Sequence, residues 1–282
     1  MKIAYSPCPN DTFIYHAWAH GLVPGAPELE VTYADIDITN HWALNGEGPE
    51  VMKISFAALP WALPDYRLLP CGGALGRGCG PLVLVKEQAD HQALQPADLS
   101  GKKIAVPSER STAYLLFRLW AAAHIPDGAG EIVVMPFHEI MPAVQKGEMD
   151  AGLVIHEARF TYPTYGLSMM TDLGSWWETE TGLPIPLGAI VARRDLDHHA
   201  ISNWIRSSLQ YAWQHPEASR DYVMKHAQEM DADVARSHIQ LYVNDFSMDL
   251  GKDGYLAIET LLTRAASEGL VPAFDPAMLR ND

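Results

Sequence analysis

The fold is decided by one stretch late in the chain, Pro184-Ile185-Pro186-Leu187-Gly188-Ala189-Ile190-Val191-Ala192. Prolines followed by an apolar run indicate a strand that is entered from a rigid connection. Before this stretch, short apolar runs alternate with helix-like segments, and after it only helical patterns occur. We therefore interpret the stretch as a return crossing from a second lobe to a first.

The alternation of strand and helix patterns predicts a parallel sheet in each lobe. In the first lobe we predict strands at residues 2–5, 29–34, 51–55 and 81–86, and helices at 12–20, 39–45 and 56–63. In the second lobe we predict strands at 103–107, 132–136 and 152–155, and helices at 111–123 and 139–146. The C-terminal helices are predicted at 200–215, 216–228, 231–243 and 254–268, with Gly269 as a C-cap.

Together these elements predict an α/β protein with a two-lobed fold of the type II periplasmic-binding-protein kind. Lobe one would comprise residues 1–88 and 190–282, and lobe two residues 89–189. The polar segment 87–99 would cross between them. In such a fold we expect the ligand in a cleft between the lobes.

Composition limits the classes of partner. The chain has 282 residues, 48% of them hydrophobic and 20% charged, which is ordinary for a globular protein. Its formal net charge of -15 repels nucleic-acid phosphates and anionic lipids, so we expect neither a nucleic acid nor a membrane as partner. We expect a small-molecule substrate, and an anionic one would need a local cluster of donors.

Cysteine usage and the N-terminus bear on metal sites and location. Cys8, Cys71 and Cys79 form no CxxC pair, which argues against a structural zinc site and a disulfide framework. The sequence begins without an apolar run of signal-peptide length. We therefore expect reduced thiols and a cytoplasmic location.

A polar turn follows the first predicted strand, in Ser6-Pro7-Cys8-Pro9-Asn10-Asp11-Thr12-Phe13. The carboxyl ends of strands face the ligand in open α/β sheets, which makes this turn a candidate part of the site. Asn10 or Asp11 is predicted to cap the following helix. A capped helix start without a ligand stays open.

Lys53 and Ser55 lie at the end of the predicted strand 51–55. Their side chains point to one face of the sheet if the two-residue period of a strand holds. Burying a lysine without a partner is costly, so Lys53 should either contact an anion or pair with a carboxylate. An exposed edge lysine is the remaining alternative.

A glycine-rich run, Gly72-Gly73-Ala74-Leu75-Gly76-Arg77-Gly78-Cys79-Gly80-Pro81, superficially suggests a dinucleotide loop. A dinucleotide loop opens a helix, whereas this run leads into an apolar strand pattern. We therefore expect no nucleotide here, and a tight turn that presents backbone amides or Arg77 stays open.

A candidate anion site lies in Pro107-Ser108-Glu109-Arg110-Ser111-Thr112-Ala113-Tyr114, which joins the first strand of lobe two to its helix. The unpaired N–H groups and the dipole of a helix start favour a carboxylate. A Ser or Thr N-cap with a purely structural role is the alternative.

His156 follows the apolar run Gly152-Leu153-Val154-Ile155, which places an imidazole at a strand end. Imidazole titrates near neutrality and is suited to accept a proton from a bound substrate. No second histidine lies four residues on, so a zinc site is not expected, and the chain has no Gly-x-Ser-x-Gly elbow. Asp11, Asn40 and Glu157 are candidates to orient this imidazole.

The polar turn, the glycine run and the segment Gly152-Leu153-Val154-Ile155-His156-Glu157-Ala158-Arg159-Phe160-Thr161-Tyr162 together resemble the 1,4-dihydroxy-6-naphthoate synthases of the futalosine route to menaquinone. The resemblance runs through nearly the whole chain. It extends to Trp176-Trp177-Glu178 and to Tyr242-Val243-Asn244-Asp245-Phe246-Ser247.

This resemblance implies a lyase that converts cyclic de-hypoxanthine futalosine to 1,4-dihydroxy-6-naphthoate without a cofactor or a metal. It implies that His156 is the proton acceptor. The substrate-binding residues that it implies are Lys53, Ile54, Ser55, Thr112 and Ala113, and further candidates around the substrate are Asp11, Asn40, Ser111 and Glu157.

Other functions stay open at this point. The same fold serves solute-binding proteins, so an anion-binding receptor is the leading hypothesis without catalysis. The closest enzymatic alternative is a chorismate dehydratase-like enzyme of the same pathway. A homodimer is also left open.

Overall fold

A computed structural model describes residues 1–87, 94–156, 158–227 and 231–280. The chain divides into two compact units. Unit 1 comprises Met1–Gly76 and Pro186–Asp282, and unit 2 comprises Arg77–Ile185. Part of the predicted crossing segment, residues 88–93, lies outside the described residues.

The strands of the described residues alternate with helices along most of the chain. In chain order the strands are β1 (Lys2–Tyr5), β2 (Glu30–Tyr33), β3 (Val51–Ser55), β4 (Tyr66–Leu68), β5 (Ala74–Gly76), β6 (Leu82–Lys86), β7 (Ile104–Val106), β8 (Ile132–Val134), β9 (Ala151–Val154), β10 (Leu167–Asp172) and β11 (Ile185–Arg193).

The helices are concentrated in the C-terminal third. In chain order they are α1 (Pro9–Ala19), α2 (Ile36–Asn45), α3 (Leu59–Ala62), α4 (Thr112–His124), α5 (Phe137–Lys146), α6 (Ala158–Thr161), α7 (Leu173–Thr181), α8 (His198–Gln214), α9 (Arg220–His226), α10 (Ala232–Tyr242), α11 (Asp245–Met248) and α12 (Gly251–Ser267). Short 3-10 helices occupy Phe56–Ala58, Pro96–Leu99, Tyr162–Tyr165, Pro216–Ser219 and Pro276–Leu279.

Unit 1 is built on a mixed sheet with the strand order β2-β1-β3-β11-β4, and β5 pairs with β11. β1 pairs in parallel with β2 and β3, as the alternation of patterns predicted. β11 pairs antiparallel with β3, and Gly188 lies opposite Ser55 in that register. The stretch that contains the prolines therefore enters this sheet between β3 and β4.

Both faces of the sheet are buried at β1, β3 and β11, which explains the largely apolar sequences of these strands, whereas the edge strand β2 is mostly exposed. On one face Ile3 and Tyr5 of β1 pack with residues of α1 and α8, such as Trp18. On the other face Ala4 packs with Met52 of β3 and with Ile258 of α12. Because successive side chains of a strand point to opposite faces, the same strands contribute residues to two separate apolar clusters.

Unit 2 contains a sheet with the strand order β10-β6-β9-β7-β8. β7 is parallel to β8 and β9, whereas β6 is antiparallel to β9 and β10. Our prediction that strand 81–86 belongs to the first lobe was wrong. An apolar strand looks the same in either sheet, and the pairing of β6 is set by residues far along the chain.

Several elements differ from the predicted ones. Two predicted helices are each divided in two: residues 56–63 form a 3-10 turn and α3, and the segment from residue 216 forms a 3-10 turn and α9. Strands β4, β5 and β10 and helix α7 had not been predicted, since their sequences are polar or short. Gly269 follows α12 with a φ of 69°, a left-handed conformation that suits a helix end.

Candidate functional site

His156 lies two residues beyond the end of β9. Its φ is 54°, in the left-handed region that an L-residue other than glycine enters at a cost. The ring of Phe137, the first residue of α5, meets the imidazole edge to face at 5.2 Å between centroids. Strained backbone at a titratable residue is a frequent feature of functional sites.

The segment after His156 is held by Arg159 in α6. Arg159 donates to the carbonyl oxygen of Gly80 at 2.7 Å and to Oδ2 of Asp172 at 2.5 Å. The other oxygen of Asp172 accepts from the backbone N–H of Gly174 at 2.8 Å and so caps α7. The partly buried guanidinium group of Arg159 therefore fixes the chain three residues past the imidazole. Glu157, a predicted site residue, lies outside the described residues.

Ser111 is the N-cap of α4. Its hydroxyl accepts from the backbone N–H of Tyr114 at 3.1 Å and donates to the carbonyl of Ser108 at 2.9 Å. Thr112 and Ala113 are the first residues of this helix, and both are buried. Ser111 therefore has the structural role of an N-cap.

Lys53 and Asp11 form a buried ion pair in unit 1. Lys53 Nζ donates to Oδ1 of Asp11, and the two side chains expose 7% and 0% of their surface. Of the two outcomes expected for Lys53, pairing with a carboxylate is therefore realised. Ile54 between the site residues points the other way and is fully buried in the apolar core.

The expected capping role of Asn10 and Asp11 was wrong. Helix α1 begins one turn earlier, with Pro9 at its first position and Cys8 as N-cap without a side-chain cap. Proline favours this position because the first N–H groups of a helix have no partner within it. The freed side chains serve a network instead: Asn10 Nδ2 donates to Asp11 Oδ1 at 3.0 Å, and Ser6 Oγ donates to Asp11 Oδ2 at 2.6 Å.

Asn40 and Ser55 contact each other through two hydrogen bonds. The amide of Asn40 donates to Ser55 Oγ at 3.0 Å, and its oxygen accepts the backbone N–H of Ser55 at 2.7 Å. Both side chains are buried. Helix α2 therefore fixes the hydroxyl at the end of β3.

A glycine makes room for Lys53. A Cβ atom placed on Gly188 would lie 2.9 Å from Cε of Lys53. Since Gly188 is paired with Ser55, this contact agrees with the prediction that Lys53 and Ser55 share a face. A larger residue at this position would push the lysine side chain away.

The structure thus groups the predicted site residues into two sets. In unit 1 it brings Asp11 into contact with Lys53, and Asn40 into contact with Ser55. In unit 2 it places Ser111, Thr112 and Ala113 at the start of α4 and His156 after β9. Their roles toward a substrate stay predictions.

Three residues of the hydrogen-bond network around Asp11, namely Ser6, Asn10 and His238, were not predicted from the sequence to belong to it. Ser6 and Asn10 were in the polar turn, but their contacts to Asp11 needed the folded chain. His238 Nε2 lies 3.0 Å from Asn10 Oδ1 across 228 residues of sequence, and no local pattern signals that contact. Arg77, left open as a donor, is bonded to the carbonyl of Gly182 at 2.9 Å.

Buried titratable groups near these elements are held in their neutral forms. Burial raises the pKa of the Cys71 thiol to about 12 and that of the Cys79 thiol to about 12. Burial, and then the Asp11 carboxylate, raise the pKa of Tyr15 well above its usual value. At neutral pH these two thiols are therefore poor nucleophiles.

Neither a metal-binding cluster nor a membrane-spanning helix is found in the described part of the chain. Among the residues that the structure describes, no group of three or more His, Cys, Asp or Glu residues could hold a metal ion. None of the helices in that part of the chain is long and apolar enough to cross a bilayer.

The fold of the chain is similar to that of periplasmic binding proteins. The aliphatic sulphonate-binding protein SsuA of Escherichia coli matches 100% of this chain and 94% of its own with a TM-score of 0.69 at 15% identity. SsuA of Xanthomonas axonopodis gives a TM-score of 0.70 at 13% identity, over 97% and 94% of the two chains. The chain therefore has a periplasmic-binding-protein-like α/β fold, as predicted.

Closer relatives define the family. The model of the menaquinone biosynthesis family matches residues 1–267, so the chain belongs to that family. A 1,4-dihydroxy-6-naphthoate synthase of Streptomyces coelicolor is 65% identical over 99% of this chain and 97% of its own length. The synthase of Thermus thermophilus is 45% identical over 96% and 95%. The protein AF1704 of Archaeoglobus fulgidus is 35% identical over 96% and 98%, with a TM-score of 0.86.

These relatives confirm the resemblance that the sequence motifs indicated. Both curated relatives carry the name of an enzyme of menaquinone biosynthesis and match almost end to end. The chain is accordingly an enzyme of this family. The substrate and the roles of single residues require a separate argument.

Proposed function

We propose that the chain is a lyase that converts cyclic de-hypoxanthine futalosine to 1,4-dihydroxy-6-naphthoate in menaquinone biosynthesis, with His156 as the proton acceptor. The observation that carries the substrate assignment is the 65% identity to the synthase of Streptomyces coelicolor over nearly the full length of both chains. The cytoplasmic location and the independence from cofactors are part of the same proposal.

The proton-transfer step rests on His156. A neutral imidazole takes a proton from a substrate carbon beside a carbonyl group, where the resulting negative charge is delocalised. The electron pair of that C–H bond forms a new C=C bond, and the sugar-derived fragment leaves with the electrons of the bond that breaks. Tautomerisation then gives the aromatic diol, whose aromaticity drives the reaction forward.

Lys53 is proposed to bind an oxygen-rich part of the substrate. Lysine has three N–H donors, and within the described residues Lys53 uses only one, for Asp11. The remaining donors are held by a side chain that is almost fully buried. With a formal net charge of -15 on the protein, such a local cation is what an anionic substrate requires.

Ser55, Thr112 and Ala113 are proposed to make the remaining contacts to substrate. Asn40 holds the hydroxyl of Ser55 in place through two hydrogen bonds. The start of α4 offers backbone N–H groups that stabilise negative charge as it develops on an oxygen. Positioned donors of this kind act in the transition state without first having to reorganise.

Turnover of the purified full-length protein tests the proposal. Cyclic de-hypoxanthine futalosine would be added without metal or nucleotide, and 1,4-dihydroxy-6-naphthoate would be followed by mass and absorbance. The variant His156→Asn keeps a residue that tolerates the left-handed backbone but lacks a proton acceptor. We expect wild-type protein to form product, and His156→Asn to lose roughly 100- to 10,000-fold in kcat.

Asp127→Asn provides the matched control, because Asp127 is also a non-glycine residue with positive φ, at 62°. This variant should retain full turnover. Unchanged kcat in His156→Asn would remove the imidazole from its role and leave the lyase assignment standing. No product from folded wild-type protein would refute the substrate assignment.

Parallel incubations decide between the alternatives. Product from chorismate but not from cyclic de-hypoxanthine futalosine would establish the dehydratase-like function. Stoichiometric binding of cyclic de-hypoxanthine futalosine without turnover, measured by calorimetry, would establish a receptor. The proposal requires catalytic turnover of this compound and none of chorismate.

A further inference from the structure

A chain of buried hydrogen bonds runs from Lys53 to a helix late in the sequence. Lys53 Nζ and Asn10 Nδ2 both donate to Asp11 Oδ1, the second at 3.0 Å. Asn10 Oδ1 lies 3.0 Å from Nε2 of His238. Asn10 and His238 expose only 4% and 1% of their surface. Neither residue has a role in the function proposed above.

The chemistry of the groups fixes the direction of every bond in this chain. An ionised carboxylate only accepts hydrogen bonds, so Asn10 must turn its NH2 group toward Asp11. The carbonyl oxygen of Asn10 then faces His238. Because that oxygen also only accepts, Nε2 of His238 must carry a proton. The orientation of the amide and the protonation of Nε2 therefore depend on each other.

Three elements of unit 1 meet in this chain. Lys53 comes from β3, Asn10 and Asp11 from the first turn of α1, and His238 from α10. The ring of Tyr242, one turn further along α10, lies 4.6 Å from the imidazole of His238 between centroids. Packing against that ring limits the orientations that the imidazole can adopt.

We infer that His238 is a positioning residue for substrate binding, which acts on Lys53 through Asn10 and Asp11. The inference rests on the proposed function, since it concerns the same lysine. His238 does not touch the reacting atoms. It holds the Asn10 amide in the one orientation that donates to Asp11, and Asp11 in turn holds the ammonium group of Lys53.

Removing the Nε2 donor would leave a buried carbonyl oxygen without a partner. The Asn10 amide could regain a bond by rotating, but its oxygen would then face the Asp11 carboxylate. Either result displaces the acceptor that fixes Lys53. The loss should therefore appear in substrate binding, while proton transfer at His156 continues.

Steady-state kinetics of His238→Leu and His238→Gln test this inference. Leucine removes the donor, and we expect KM to rise about tenfold or more with kcat changed less than about threefold. Glutamine offers an amide N–H near the reach of Nε2 and should restore most of the loss. The pH profile of kcat, which reports the base, should be the same in all three proteins.

His16→Leu is the matched control, because His16 is a buried histidine of the same unit that lies outside the network. It should leave KM unchanged even if it lowers the melting temperature. A rise in KM that is equal in His16→Leu and His238→Leu, or one that glutamine does not rescue, would overturn the inference in favour of general destabilisation.

A second measurement does not depend on turnover. Long-range 1H–15N NMR of the full-length wild-type protein would report which ring nitrogen of His238 carries a proton, with the resonance assigned by its absence in His238→Gln. A proton on Nε2 is expected. A proton on Nδ1 alone would overturn the inference. If wild-type protein formed no product, the proposed function would be refuted. The spectrum would still show whether Nε2 of His238 donates to Asn10 as the inference requires.

Discussion

At the scale of single residues, His156 joins a proton acceptor to a strained backbone. For an L-residue the left-handed conformation costs roughly 1–2 kcal/mol. Folding therefore holds this imidazole against a local penalty. Histidine and asparagine accept the conformation better than most residues, which makes the backbone itself testable apart from the imidazole.

The variant with glycine at position 156 should be more stable than the variant with alanine, which is the reverse of the usual order in a helix. Because glycine enters the left-handed region freely, we expect His156→Gly to be more stable than His156→Ala by about 1 kcal/mol. Urea unfolding at neutral pH measures the difference. At Arg118, inside helix α4, alanine should be the more stable by about 1 kcal/mol. The same order of stabilities at both positions would contradict the left-handed conformation of residue 156.

The buried ion pair gives a second prediction at this scale. Asp11→Ala leaves the ammonium of Lys53 buried without its partner, which should lower the free energy of unfolding by about 3–5 kcal/mol. Arg236→Ala removes an exposed pair with Asp233 and should leave the urea midpoint nearly unchanged. A small loss in Asp11→Ala, comparable with that of Arg236→Ala, would mean that Lys53 reaches solvent.

How far the sequence predicts these residues depends on how local their contacts are. Lys53 was expected to need an anion or a carboxylate, because the cost of burying a lysine is a property of the side chain. That Asp11 would be the carboxylate was not predicted, since we assigned it to a helix cap. The partnership of Asn10 with His238 depends on how α10 packs, which no short pattern encodes.

At the scale of elements, α6 is too short to be stable alone, since four residues cannot offset the cost of starting a helix. Arg159 stabilises this short helix from outside, through hydrogen bonds to Asp172 and to the carbonyl oxygen of Gly80. Because α6 begins two residues after His156, the same hydrogen bonds steady the proposed base.

Arg159→Lys should therefore reduce turnover. A lysine cannot bond both acceptors in the planar fork geometry, so we expect kcat to fall about tenfold as the geometry of the base loosens. Arg77→Lys is a close control, because Arg77 likewise bonds a carboxylate, Glu178, and a carbonyl, that of Gly182, but on the surface of unit 2. Equal losses in both variants would argue against a specific role for α6.

The strands and helices that the sequence predicted best are those with strong local patterns. Strand β3 has the predicted bounds, and the apolar run before His156 forms β9 one residue earlier than expected. Strand β10 and helix α7 were missed because serine, methionine, threonine and glutamate alternate there without a clear period. β6 was predicted as a strand but placed in the wrong sheet, because sheet partners are chosen by distant segments.

At the scale of the whole molecule, alternating patterns and the late stretch with its prolines were enough to predict two α/β sheets. The antiparallel pairings of β11 with β3 and of β6 with β9 were not predicted, because the alternation of strands and helices indicates only parallel pairing between neighbouring units. The dependence of stability on pH is also a property of the whole chain, because every group whose pKa differs between the folded and the unfolded chain contributes to it.

Stability should fall as the solution is acidified below neutrality, in part through His16. Burial, and then the neighbouring His20, lower the pKa of His16 below its usual value of 6.5. Between the unfolded and the folded pKa, the unfolded chain therefore binds the proton more readily than the folded chain. The contribution of His16 to stability is complete above about pH 6.5 and is lost as the pH falls toward the folded pKa.

Comparing wild-type protein with His16→Phe isolates this effect, because phenylalanine keeps an aromatic ring but cannot be protonated. Acid also reduces the net charge of -15 and so relieves repulsion, which works in the opposite direction but equally in both proteins. We expect the urea midpoint of His16→Phe to fall less than that of wild type between pH 7.5 and pH 5.5, a span of roughly one unit either side of the usual histidine pKa. Parallel curves would show that His16 gains its proton in the folded chain as easily as in the unfolded one.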